Sequence, residues 1–97
     1  MNQKSGVSRR SSRQAFTEKQ GEYLAFIYVY SHMFQRPPAE TDMPRYFRVS
    51  PPSVHQMVLT LERAGLIRRQ PGVARSIEIL VSPHAARKLK RISRSRN

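Results

Sequence analysis

Between Ser50 and Leu80 the apolar positions change period once, and the change separates two elements. Val54, Val58 and Leu61 recur at i, i+4 and i+7, while Ser53, Gln56, Thr60 and Arg63 fall on the opposite face. This spacing predicts a helix over about 51–64. Ser50 can cap it, and Pro51 takes the first helical position, where a missing N–H leaves no bond unmade. Gly65 after Ala64 suits a left-handed C′ residue, with Leu66 folding back on the last turn as a Schellman-type stop. Beyond it, Ile67-Arg68-Arg69, the turn signal Gln70-Pro71-Gly72 and Ile77-Glu78-Ile79-Leu80 read as a β-hairpin with arginines near its tip. A polar-faced helix followed by such a hairpin, or wing, suits one task. The helix lies in a DNA groove and the hairpin sits alongside it.

Upstream, Thr17-Glu18-Lys19-Gln20 is a capping box, so a first helix starts there and should run to about Phe34. Tyr23, Leu24, Ile27, Tyr30 and Phe34 form its apolar stripe, and Phe26, Tyr28, Val29 and Met33 widen that stripe beyond what one core face needs. Such a helix is either buried on two sides or faces a partner chain. Pro37-Pro38 forbids helix and favours an extended connector. A second helix fits between Ala39 and Arg48 if it begins at Glu40 or Thr41, which puts Pro44 inside the first turn. Met43, Tyr46 and Phe47 would be its buried contacts, and Arg48-Val49-Ser50 the turn onward. Ser82-Pro83 repeats the cap-plus-proline signal, and Ala85, Ala86, Leu89 and Ile92 predict a short final helix carrying Arg87, Lys88, Lys90 and Arg91, fraying from Ser93. Met1 to Ala15 is serine-rich and basic with little to bury, which predicts disorder. The expected organisation is a disordered basic arm (1–15), a winged helix-turn-helix domain (16–81) and a short basic helix with tail (82–97). The fold class is mainly α with a small β-hairpin.

Composition narrows the partner. The 97 residues hold one small core, and no apolar run approaches the roughly 20 residues of a membrane span. The chain has no cysteine, which excludes disulfides and thiolate zinc sites, and no second histidine stands at ligand spacing from His55; neither metal nor cofactor is expected. The N-terminal stretch lacks the apolar segment of a secretory signal, so a cytoplasmic location is expected. Eighteen Lys plus Arg against six Asp plus Glu give a net charge of +12, and only Lys4, Lys19, Lys88 and Lys90 of the eighteen are lysine. The partner should be polyanionic, and arginine's planar fork suits phosphates and base edges. The carboxylates are scattered, the serines lack a paired base and no glycine-rich phosphate loop is present, which points away from an enzyme.

Taken together, Thr17 with Gln20, Leu24, Ile27, Pro37-Pro38, Ser53-Val54-His55, Leu61-Glu62 and above all Gly65-Leu66-Ile67-Arg68-Arg69 with Pro71, Arg75 and Ile77-Glu78-Ile79-Leu80 are an ordered set. In this order the chain resembles the N-terminal winged-helix DNA-binding domain of the LexA-type SOS repressors, over Phe16 to Leu80. The resemblance implies that the start of the third helix enters the major groove. It implies no protease here, since the stretch after Leu80 is too short for the self-cleaving domain. Pro44 and Arg48 replace a small residue and a turn glycine typical of that family. Pro52 stands where the family often carries a base-bonding side chain, so the operator should differ from the SOS box.

The candidates for base edges are therefore Ser50, Ser53, His55 and Gln56, with Gln56 foremost because its amide can bond adenine in a bidentate manner. Ser50 has a competing role as a cap. Thr60, Arg63, Arg68, Arg69 and Arg75 are candidates for the phosphate backbone. The leading reading is a sequence-specific double-stranded-DNA-binding transcriptional regulator. A non-specific nucleic-acid-binding or RNA-associated basic protein, and a winged helix turned to protein contacts, remain as alternatives. A homodimer is expected through the first helix (Phe26, Tyr28, Val29, Met33) and the final helix (Leu89, Ile92). Leu59 falls near the exposed flank of the third helix without an assigned partner.

Overall fold

The computed structural model describes residues 16–95, so the expected basic arm over 1–15 lies outside the described residues. Five helical segments and one hairpin follow in order: α1 (Glu18–Phe34), a 3-10 turn (Glu40–Asp42), α2 (Met43–Phe47), α3 (Pro51–Arg63), β1 (Ile67–Arg68), β2 (Glu78–Ile79) and α4 (Pro83–Ser95). This is the expected winged helix-turn-helix with a final helix. α1 opens with the capping box: Thr17 Oγ1 accepts from the Gln20 N–H at 3.0 Å, and Gln20 Oε1 accepts from the Thr17 N–H at 2.9 Å. It closes at Gln35, which adopts the left-handed conformation (φ 59°). α3 starts under the Ser50 cap and ends in a Schellman motif. There the Leu66 N–H bonds Leu61 O and the Gly65 N–H bonds Glu62 O, both at 3.0 Å, with Gly65 at φ 76°.

The expected second helix is split. Pro44 cannot donate a backbone bond, so the chain enters through a 3-10 turn in which the Asp42 N–H bonds Ala39 O at 3.0 Å; the α-helix proper begins at Met43. It ends at Arg48 in the left-handed conformation (φ 58°), with the Val49 N–H on Pro44 O at 3.1 Å, so an arginine takes the conformation a turn glycine adopts more easily. The strands are also shorter than expected. Ile67 pairs Ile79 and Arg68 pairs Glu78, and the Leu80 N–H reaches Leu66 O at 2.9 Å. Arg69 and Ile77 stand outside the ladder, and the loop between the strands is organised by its own bonds. Ser76 Oγ donates to Gln70 O and Val73 O and accepts from the Gln70 N–H, and Arg75 sits at φ 58°.

One core draws on every layer. Leu24 and Ile27 of α1, Met43 of α2, Val54, Val58 and Leu61 of α3, Leu66, Ile67 and Ile77 of the wing, and Leu89 of α4 are all buried together. The surplus apolar surface of α1 is largely consumed within the chain. On one side Tyr23 stacks on Phe47 (centroids 4.0 Å) and Phe26 packs on Tyr46 (4.7 Å). On another, α4 lies close enough that a Cβ on Gly21 would stand 2.9 Å from the Phe16 ring and 3.1 Å from Ile92 Cδ1. Two-sided burial therefore accounts for the width of the stripe. Phe34, assigned to that stripe, is 54% exposed, and Met33 is 66% exposed. Leu89 is fully buried and Ile92 half-buried against this core, so the apolar edge of the final helix packs within the chain. Leu59 is half-buried. No helix of the described residues is long and apolar enough to cross a membrane.

Candidate nucleic-acid interface

The amphipathic spacing of α3 sends Val54, Val58 and Leu61 inward and leaves Ser50, Ser53, His55 and Gln56 exposed together at its N-terminal end. Their side chains are not equally free. Ser50 Oγ accepts from the Ser53 N–H at 3.3 Å and donates to Ser53 Oγ at 3.0 Å, so the two hydroxyls serve the cap first. His55 Nδ1 lies 3.1 Å from Glu40 Oε1 and 3.3 Å from Oε2, which ties the ring to the turn before α2. Among the described residues the Gln56 amide makes no hydrogen bond to protein, and it stands exposed one residue on. Thr60 Oγ1 donates to Gln56 O at 2.8 Å, bound to its own helix. Arg63 is exposed in the last turn.

On the wing the three arginines differ. Arg68 Nε donates to Glu78 Oε1 at 2.6 Å, but its side chain is 69% exposed, and an exposed pair of this kind is worth about 0–1 kcal/mol and can be exchanged for a phosphate. Arg69 Nε bonds Glu62 Oε1 at 3.1 Å with its side chain only 17% exposed, joining the wing to the last turn of α3. Arg75 departs most from expectation. Its Nη1 donates to Tyr30 Oη (3.0 Å), Asp42 Oδ2 (3.1 Å) and Pro37 O (3.4 Å). One guanidinium thus joins the wing loop to α1, the connector and the turn before α2, with its side chain 34% exposed. The backbone N–H of Ala39, at 2.9 Å from Oδ2, and then the charge of Arg75 hold the Asp42 carboxyl below the usual carboxylate range. The hydrogen bond to Tyr30, followed by Asp42, raises Arg75 above its ordinary value.

Residues outside the expected set also border this face. Arg45 and Glu40, with Thr41, Pro44 and Pro51, line an open cleft of about 500 Å³ between the second helical segment and the start of α3. Arg48 is exposed in the turn between the two. The signal for both arginines was their place just before the Ser50 cap, which the helical period alone does not mark. Among the described residues no three His, Asp or Glu side chains are grouped to hold a metal ion.

The chain matches the family described as iron dependent repressor, N-terminal DNA binding domain, over residues 15–73. It is also similar to the LexA repressor of Thermosipho melanesiensis, 36% identical over 64 residues that make up 66% of this chain and 32% of that repressor. The LexA repressor of Thermosipho africanus is 34% identical over 67 residues, 69% of this chain and 34% of that protein. The chain therefore spans about a third of the length of these repressors. The family match runs from the capping box of α1 through the exposed face of α3 to the wing turn, the elements that carry the interface, and the chain belongs to the family of iron-dependent-repressor N-terminal DNA-binding domains.

Proposed function

We propose that this chain is a sequence-specific double-stranded-DNA-binding transcriptional regulator related to the LexA-type repressors, with the N-terminal end of α3 in the major groove and the wing on the backbone. The observation that carries this reading is the exposed cluster at the start of α3. Gln56 presents an uncommitted amide there, beside His55, while the apolar residues of the same helix are buried. Arg63, at the end of α3, and Arg68, on the wing, supply phosphate contacts. The matching family is named for iron, yet among the described residues no three His, Asp or Glu side chains are grouped to hold a metal ion, and the sequence has no cysteine. These donors do not fit a metal centre, and no step of DNA binding is routed through one.

Selection of bound sequences from a random duplex pool tests the proposal. One preferred sequence should emerge, bound about a thousandfold or more tighter than bulk DNA at the same salt. A pool that returns no consensus would favour the non-specific reading. One wing domain covers one half-site, and strong specificity usually joins two by a dyad. We infer that two copies pair through the exposed end of α1, where Met33 and Phe34 remain uncovered. Sedimentation equilibrium with and without Met33→Ser/Phe34→Ser checks this. A monomer at high micromolar concentration, together with unpaired half-sites in the selected DNA, would count against it.

A further inference from the structure

α4 extends the fold beyond the wing by 13 residues, and its two faces have opposite chemistry. At about 100° per residue, Arg87, Lys88, Lys90 and Arg91 fall within about 160° of arc, and Ala85, Leu89 and Ile92 lie on the other side. The apolar side is buried against α1, while the four basic side chains are exposed. Lys88 sits over the Phe16 ring at 4.9 Å. Among the described residues no carboxylate lies within ion-pair distance of Arg87, Lys90 or Arg91. Four like charges within about 6 Å of helix rise repel one another, and among the described residues only Lys88, over Phe16, has a packing contact that uses its charge.

The place of this face decides its use. Gly21 of α1 faces Ile92 of α4, whereas Tyr23, two positions on and so about 200° around the same helix, stacks on Phe47 of α2. α1 therefore stands between α4 and the helix-turn-helix. The duplex along the outer face of α4 is therefore taken to be a different segment from the one seated on α3. We propose that the basic face of α4 is a second DNA-binding surface, which takes the phosphate backbone of another duplex segment without reading its sequence. The occupant is chosen by charge: phosphates at one negative charge per about 1.7 Å of duplex match a short, dense row of arginine and lysine. The inference rests on the DNA-binding reading above, and it makes the protein a bridge between a specific site and a neighbouring stretch of DNA.

The test uses the full chain and two short duplexes. One, immobilised, carries the selected sequence; the other is labelled and of random sequence. The wild type should capture the labelled duplex. Arg87→Gln/Arg91→Gln should lower capture at least about threefold, while affinity for the single selected duplex changes less than about twofold and its salt slope stays the same. A charge-matched control, Lys19→Gln/Arg36→Gln, should capture as the wild type does. The proposal is overturned if the α4 variant still captures, if the control loses as much, or if the single-duplex salt slope of the α4 variant becomes shallower by about one unit or more, which would put α4 on the same duplex. Capture that depends on α4 in a protein with no preferred sequence would instead overturn the sequence-specific reading and leave this one standing.

Discussion

Arg75 Nη1 stands 3.1 Å from Asp42 Oδ2, and this pair fastens the wing to the turn that precedes α2. Asp42 uses the same oxygen to accept the Ala39 N–H at 2.9 Å, so one carboxylate holds both the start of the helix-turn-helix and the wing loop. Because the carboxyl is held below its ordinary value when folded, the unfolded chain binds the proton first as pH falls. Its contribution to stability is complete above the ordinary aspartate value of about 3.9 and is lost as pH drops through the lower folded value. Asp42→Asn should therefore be less stable than the wild type near neutral pH, with the deficit shrinking in acid. Urea midpoints at about pH 6 and about pH 2.5 measure it, and an equal deficit at both would refute the assignment.

The wing arginines should separate by salt dependence. Arg68→Ala should make the slope of log affinity against log salt shallower by about one unit, as loss of one phosphate contact requires. Arg75→Ala and Arg69→Ala should weaken binding by loosening the wing, with an unchanged slope and a lower melting temperature. A shallower slope for Arg75→Ala would place it among the phosphate contacts.

Gln56→Ala should cost about 1–3 kcal/mol on the selected sequence and almost nothing on random duplex. Equal losses on both would show that Gln56 reads no base.

Two turns should respond in opposite senses. Gly65 is at φ 76° with nothing within 4 Å of an added Cβ, so Gly65→Ala meets no clash and should cost about 1–2 kcal/mol from backbone conformation alone. Arg48 already bears that penalty at φ 58°, so Arg48→Gly should stabilise, by about 1 kcal/mol. Thermal or urea unfolding of the two variants is the check, and a destabilised Arg48→Gly would contradict the argument.

Leu89→Ala should destabilise by about 2–5 kcal/mol, because the side chain is fully buried in the common core. A loss below about 0.5 kcal/mol in chemical denaturation would mean that α4 is not part of the cooperative unit.

The elements were legible because their signals are local. The capping box at Thr17, the Ser50-Pro51 start, the Gly65 stop and the i, i+4, i+7 spacing of Val54, Val58 and Leu61 each act within a few residues, and each governs backbone conformation directly. Charge and pattern likewise pointed to a polar recognition face and a basic wing. What the sequence left undetermined was which of several similar side chains is free. Arg68, Arg69 and Arg75 read alike as wing arginines, yet Glu62 and Asp42, distant in sequence, engage two of them. Leu89 and Ile92 read alike as an interface edge or a core edge until α4 closes on Gly21. The break in the second helix followed from Pro44, but the 3-10 geometry depended on Asp42 being held between Ala39 and Arg75. Local pattern determines where elements begin and end; only tertiary packing decides which charges are spent inside the molecule, because a guanidinium exchanges water for a carboxylate only where the fold brings one within reach.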